Sequence, residues 1–318
     1  MREPISETVS DFLKTKNKDS DPFMLVVSYL NPHDICDYVD YLNYDNLSES
    51  TKKSKADKLA DVAQQVEYAK TLGYPSDEFF AKHAPPLPGN FGDTTPRPAG
   101  LKGRQKKFKE DEKIWRMHRW IYNRLIEQVD TGMGRVLAAL KAQGLDANTI
   151  VVYLSDHGEM SAAHGMEQKS APYGECQKVP FIFSGPGIKK GVADNDTLTM
   201  TGIDMLPTLC ELAGVAIPET LPGVSLKQTM TEGKPVTRKY IYPSSANWFQ
   251  VTDGRYKYTL FETDAKGNRM LIDLKNDPSE MINLASDPSH SRIAADMRKN
   301  LLDNLRQRNV AIKGNLAD

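Results

Sequence analysis

The sequence predicts an α/β fold, a mostly parallel sheet flanked by helices and followed by a small α+β subdomain. Three features lead there. Apolar runs of strand length at 23–29, 149–154 and 179–184 are continuous rather than alternating, the pattern of strands covered on both faces. An amphipathic stretch at 112–143 lies between the first two runs, as a crossover helix would. Past about residue 237 the texture changes to short strands around an Asp253-Gly254 turn. The expected division is therefore 1–236 for the α/β part and 237–318 for an α+β subdomain with a small antiparallel sheet.

Each element has its own signal. Residues 7–16 read as a short amphipathic helix. The run Phe23-Met-Leu-Val-Val-Ser-Tyr29 reads as a buried strand that stops at Leu30-Asn-Pro-His-Asp34, because proline cannot continue a ladder. Residues 38–103 are turn-rich, with prolines at 75, 85, 86, 88, 96 and 98, and read as a long loop with a helical patch near 54–72. A basic cluster follows at Lys102, Arg104, Lys106, Lys107 and Lys109, and acidic residues directly after it make a solvated stretch the simpler reading.

In 112–143, Ile114, His118, Ile121, Leu125, Val129, Met133, Val136 and Leu140 recur at steps of three or four, and Gly144 fits a helix C′ position. Strands are expected at 149–154 and 179–184, and a helix near 204–213. Two strands around Asp253-Gly254, a third at Met270-Leu-Ile-Asp273 and a closing helix at 291–308 complete the chain.

Composition removes several function classes. A net charge of −1 over 318 residues gives no global field to attract nucleic acid or an anionic membrane. No run of about 18 apolar residues is present, so no membrane-spanning helix is expected. The first residues lack the apolar core of a secretion signal. Cys36, Cys176 and Cys210 are odd in number and widely spaced, without a zinc pattern.

The chemistry concentrates where apolar runs end. In Tyr153-Leu-Ser-Asp-His-Gly-Glu-Met160 a buried-looking run stops at Asp156 and His157, a costly arrangement unless a partner such as a cation is present. A capping Asp beside a hydrogen-bonded His is the plainer alternative. His33 ends the first run and titrates near neutrality, so it can protonate a leaving group, though a structural role is as open. Lys169, in the polar loop His164-Gly-Met-Glu-Gln-Lys-Ser-Ala-Pro-Tyr-Gly-Glu175, can hold an oxyanion as a point charge, and His164 is a further candidate. Together these parts suit hydrolysis of a phosphate or sulfate ester. No Gly-x-Ser-x-Gly or suggestively framed cysteine supplies a nucleophile.

These segments resemble the sulfatase family. The likeness rests on the run ending in Pro32-His33, on Gly132-Met-Gly-Arg-Val-Leu-Ala-Ala-Leu140, and on Asn148-Thr-Ile-Val-Val-Tyr-Leu-Ser-Asp-His-Gly-Glu159. It continues through Gln168-Lys-Ser-Ala-Pro-Tyr-Gly-Glu175, Thr201-Gly-Ile-Asp-Met-Leu-Pro-Thr-Leu209, and Asp253-Gly-Arg-Tyr-Lys-Tyr258 with Asp273-Leu-Lys-Asn-Asp-Pro-Ser-Glu280. The resemblance implies an alkaline-phosphatase-like fold and a sulfuric ester hydrolase. It assigns Asp156 and His157 to a divalent metal, calcium first, with manganese or zinc alternatives because His157 stands where the family often has Asn.

The same resemblance assigns His33 and Lys169 to catalysis and sulfate binding, with His164 beside them. The implied ligand is a sulfated small molecule or saccharide. The family's Asp-Asp pair and its Cys/Ser-x-Pro-x-Arg motif, whose Cys or Ser becomes formylglycine, do not occur in these 318 residues. The expectation is therefore an N-terminally incomplete chain, inactive alone, with an exposed apolar edge. A periplasmic, secreted or lysosomal location would follow from a signal peptide upstream. Alternatives are a phosphodiesterase or phosphonate monoester hydrolase of the same superfamily, or a non-catalytic protein that binds sulfated ligands.

Overall fold

The longest helix forms where the apolar stripe places it. In the computed structural model, which describes residues 4–93, 95, 101, 111–261 and 268–310, the chain divides into two compact units. The first comprises Met1–Phe91, Gln105–Ile150 and Ser161–Gln168; the second comprises Gly92–Arg104, Val151–Met160 and Lys169–Asp318. The basic cluster at 102–109 lies outside the described residues.

The first unit is helical: α1 (Ile5–Lys14), α2 (Tyr38–Leu42), α3 (Glu49–Ser54), α4 (Ala56–Thr71), α5 (Asp77–Lys82) and α6 (Glu112–Ala142). Asp111 caps α6 by accepting the Lys113 amide, and Gly144 takes the left-handed conformation just past its end, at φ 66°. The predicted stripe is buried at His118, Ile121, Leu125 and Leu140. Trp115, Met117 and Trp120 widen it, because α4 and α5 pack on the N-terminal half. Burying a side chain such as Ile121 or Leu125 contributes roughly 1.5–3 kcal/mol.

The stretch read as a long loop instead supplies much of this core. Tyr38, Val62, Val66, Phe79 and Phe80 are buried there. Pro75 lies between α4 and α5, Pro85, Pro86 and Pro88 follow α5, and the prolines at 96 and 98 lie outside the described residues. α1 packs along α6, where a Cβ on Gly132 would meet the Ser6 hydroxyl at 2.8 Å and the Tyr29 ring at 3.1 Å.

The run at 23–29 does not form a strand. Residues 21–30 carry no regular secondary structure, and Met24 and Val26 are each 74% exposed. Extended backbone becomes a strand only with a ladder partner, and no described residue pairs with this run.

In the second unit β1 (Val151–Leu154), α7 (Gly174–Gln177) and β2 (Phe181–Ser184) come first. β1 and β2 pair antiparallel, with Val151 opposite Ser184 and Leu154 opposite Phe181. Among the described residues there is no parallel pair, so the mostly parallel sheet expected from sequence does not appear there. α8 (Thr201–Leu212) and α9 (Lys227–Glu232) follow. β3 (Ser244–Ser245), β4 (Trp248–Thr252), β5 (Tyr256–Phe261) and β6 (Arg269–Asp273) then form an antiparallel sheet in sequential order, as the turn signals predict. α10 (Ser291–Gln307) covers one face, burying Met297, Leu301, Leu302 and Leu305 against Val251, Tyr258 and Leu271.

Candidate functional site

Asp156 and His157 sit in the turn directly after β1. His157 Nδ1 lies 2.9 Å from the Gly158 carbonyl oxygen, which can only accept, so Nδ1 carries the proton. Nε2 lies 3.4 Å from Asp156 Oδ2. A carboxylate and an imidazole nitrogen so placed can share a proton or a metal cation. The Asp156 side chain is 82% exposed and that of His157 38% exposed, so both are open to an ion. The other Asp156 oxygen, Oδ1, accepts the His157 amide at 2.9 Å and sets the turn.

The donors fit a divalent cation in kind, one hard carboxylate and one borderline imidazole. They supply two ligands. Among the described residues no group of three or more His, Cys, Asp or Glu side chains forms a metal site.

This turn is tied to the lysine loop. The Gly158 amide donates to the Cys176 carbonyl at 2.8 Å, and a Cβ at 158 would stand 1.9 Å from the Glu175 carbonyl oxygen. Only glycine permits that approach. Lys169 is half-buried between Gln168 and Ser170, whose φ values are 64° and 71°. Of the seven described non-glycine residues at positive φ, five lie between 161 and 170 and a sixth is Glu280. Such conformations cost about 1–3 kcal/mol each and persist only where the surroundings impose them.

Residues 170, 172 and 174 of this loop are held by the C-terminal sheet and the Glu280 turn. Trp248 Nε1 donates to the Ser170 carbonyl at 2.8 Å. Gln250 Nε2 donates to the Pro172 carbonyl at 3.2 Å, and Lys257 Nζ to the same oxygen at 2.8 Å. Glu280 Oε1 accepts the Gly174 amide at 2.9 Å while its Oε2 pairs with Lys257. Sequence reasoning did not find Trp248, Gln250, Lys257 or Glu280. The available signal was a lysine on the inward side of a strand, since Lys257, Thr259 and Phe261 share one buried face of β5.

In the first unit, His33 opens a 3₁₀ turn, His33–Asp37, directly after Pro32 and is half-buried. Asn31 shapes that turn: its Oδ1 accepts the Asp34 amide at 3.3 Å, and its Nδ2 donates to Asp61 Oδ2 at 3.1 Å. His164 is the further candidate in the lysine loop. It is fully buried, at φ 54°, with Nε2 3.1 Å from the Asn90 side-chain amide and its backbone amide donating to the Asn90 carbonyl at 3.1 Å. Burial makes it part of the turn. The three cysteines are free thiols.

Comparison with known proteins sets this geometry in a family. The Sulfatase family model matches residues 2–215, and a model of the C-terminal part of N-sulphoglucosamine sulphohydrolase matches 162–308. A Δ4,5-hexuronate-2-O-sulfatase of Bacteroides thetaiotaomicron is 31% identical over 310 residues, covering 90% of this chain and 57% of the relative. The solved structure of a 2-O GAG sulfatase aligns with a TM-score of 0.74 and 28% identity, covering 98% of this chain and 66% of that one. A structure in complex with its substrate D-glucosamine-2-N,6-O-disulfate aligns at 0.55 and 28% identity, covering 65% and 44%. This chain thus spans about half to two-thirds of the proteins it resembles. With the family model covering most of its length, the chain belongs to the sulfatase family.

Proposed function

We propose that this chain provides metal- and sulfate-binding parts of a sulfuric ester hydrolase acting on sulfated carbohydrate, with a 2-O-sulfated hexuronate as the first substrate class to test. The carrying observation is the Asp156–His157 pair, a carboxylate and an imidazole nitrogen 3.4 Å apart and open to solvent at a strand end in a chain of this family. The hexuronate-2-O-sulfatase likeness and the glucosamine disulfate complex of another relative support the saccharide class.

Asp156 and His157 would hold the cation, calcium as the first assignment and manganese or zinc next. When bound, it neutralises charge building on the ester oxygens. Lys169 binds a sulfate oxygen as a point charge. His33 delivers the proton to the leaving oxygen. No Cys/Ser-x-Pro-x-Arg occurs in residues 1–318, so in this proposal the formylglycine nucleophile is supplied by a segment outside them.

The test is sulfate release from a 2-O-sulfated unsaturated hexuronate disaccharide by this chain joined to such a segment. Release should stop with chelator and fall about 10²–10³-fold on Lys169→Ala, the usual cost of removing an oxyanion donor. On His33→Ala the loss should be about 10²–10⁴-fold. Release indifferent to both substitutions would remove these assignments. A phosphonate monoester offered in the same assay addresses the reading that His157 raises, and turnover of it in preference to the sulfate ester would favour that reading.

A further inference from the structure

The buried pair Lys257–Glu280 has no electrostatic reason of its own to exist. Both side chains are 4% exposed, and desolvating two charges offsets most of what their attraction returns. Burial pushes the Lys257 ammonium down from its ordinary pKa, with Glu280 as the main opposing influence. An apolar pair of similar volume would serve stability as well. What it could not do is satisfy the backbone of the segment carrying Lys169.

Three alternate residues of that segment are held. Trp248 takes the carbonyl of Ser170, Gln250 and Lys257 share the carbonyl of Pro172, and Glu280 takes the amide of Gly174. Gln250 is oriented in turn, its Nε2 also reaching Thr259 Oγ1 at 2.8 Å. The sheet and the Glu280 turn thus grip 170–174 at every second residue. Glu280 is bent to do this, at φ 58°. The gripped segment starts at Ser170, the left-handed residue directly after Lys169.

We infer that Lys257 and Glu280 are positioning residues that hold the 169–175 loop so that the Lys169 ammonium is fixed for a sulfate oxygen. This rests on the reading of Lys169 as the sulfate anchor. It assigns the C-terminal sheet a part in anion recognition through the loop's backbone, without any of its side chains touching the ligand.

The test uses the 318-residue chain, with hydrogen–deuterium exchange of the 168–175 amides and calorimetric affinity for inorganic sulfate in calcium. Lys257→Met, Glu280→Gln, Lys169→Ala and the double variant Lys169→Ala/Lys257→Met are compared. Glu280→Gln keeps the shape and removes the charge, so it covers the case in which Lys257→Met fails to fold. Exchange across 168–175 should rise tenfold or more in Lys257→Met and Glu280→Gln, with α10 amides unchanged. Sulfate affinity should fall tenfold or more in these variants and in Lys169→Ala. The double variant should bind no more weakly than Lys169→Ala, because positioning matters only while the ammonium is there. Lys257→Arg should recover part of the affinity.

Unchanged loop exchange, or additive losses in the double variant, would overturn the positioning role. Unchanged sulfate affinity in Lys169→Ala alone would instead overturn the anchor reading, and the exchange data would still decide whether the pair holds the loop.

Discussion

The Gly158 amide and the Cys176 carbonyl meet at 2.8 Å, which joins the Asp156–His157 turn to the helix ending the Lys169 loop. The contact leaves no room for a side chain, since a Cβ at 158 would lie 1.9 Å from the Glu175 oxygen. Gly158→Ala should therefore destabilise by roughly 1–3 kcal/mol or more, the cost of overpacking, and should weaken metal-dependent anion binding. Gly134 on α6 has open space around it, so Gly134→Ala should raise stability by about 0.5–1 kcal/mol. Urea midpoints of the two variants check both signs.

Acid should destabilise the helical unit through His118. Burial, with Arg119 nearby, lowers its pKa from 6.5 to about 3, so the folded ring stays neutral. The Tyr38 and Trp115 rings flank it, with centroids at 6.0 and 6.3 Å. Below pH 6.5 the unfolded chain binds a proton that the folded chain refuses, so stability falls as pH drops from 6.5 towards 3. The full effect is bounded at roughly 5 kcal/mol. Unfolding free energy measured against pH should flatten across that window in His118→Phe; an identical slope in the variant would assign the acid sensitivity elsewhere.

Asp204 is a buried node in the second unit. It accepts the amides of Met200 and Val224 and a two-pronged guanidinium from Arg238, at 2.8 and 2.7 Å. Arg238→Ala leaves that carboxylate buried and uncompensated, which typically costs about 3–5 kcal/mol. Asp204→Asn/Arg238→Met removes both charges and should recover part of the loss in thermal unfolding.

The apolar run at 24–26 should govern self-association. Met24 and Val26 are each 74% exposed and contiguous with Leu25. Exposed apolar patches of this kind drive aggregation. Met24→Lys/Val26→Lys should lower light scattering of the concentrated chain without lowering its melting temperature. Unchanged scattering would place the association surface elsewhere.

Where local pattern carries the signal, the sequence was readable. α6 declares itself by the spacing of its apolar residues, and β4 and β5 by the Asp253-Gly254 turn between them, with β6 at the apolar Met270-Leu-Ile. Strand direction was not readable, because a continuous apolar run such as 149–154 looks alike in parallel and antiparallel pairs. The 23–29 run has strand composition, yet composition does not provide a ladder partner. Prolines at 75, 85 and 86 masked the short helices whose Phe79 and Phe80 fill the core.

At the candidate site, Asp156, His157 and His33 stood out as ionisable residues at the ends of apolar runs, and Lys169 as a lysine in the polar loop before the run at 179–184. The burial of His164 in a left-handed turn beside Asn90 is not legible from its polar neighbours in sequence. Lys257 and Glu280, 23 residues apart, meet only through the tertiary fold, so the inward lysine of β5 is the one local mark of the pair.

The most direct test of the account is a binding titration of the 318-residue chain with a 2-O-sulfated hexuronate disaccharide and its desulfated counterpart, in calcium and in chelator. The account predicts at least tenfold tighter binding of the sulfated sugar, about 1.4 kcal/mol, lost in chelator and in Lys169→Ala. Equal affinity for the two sugars, untouched by chelator or by the substitution, would contradict it.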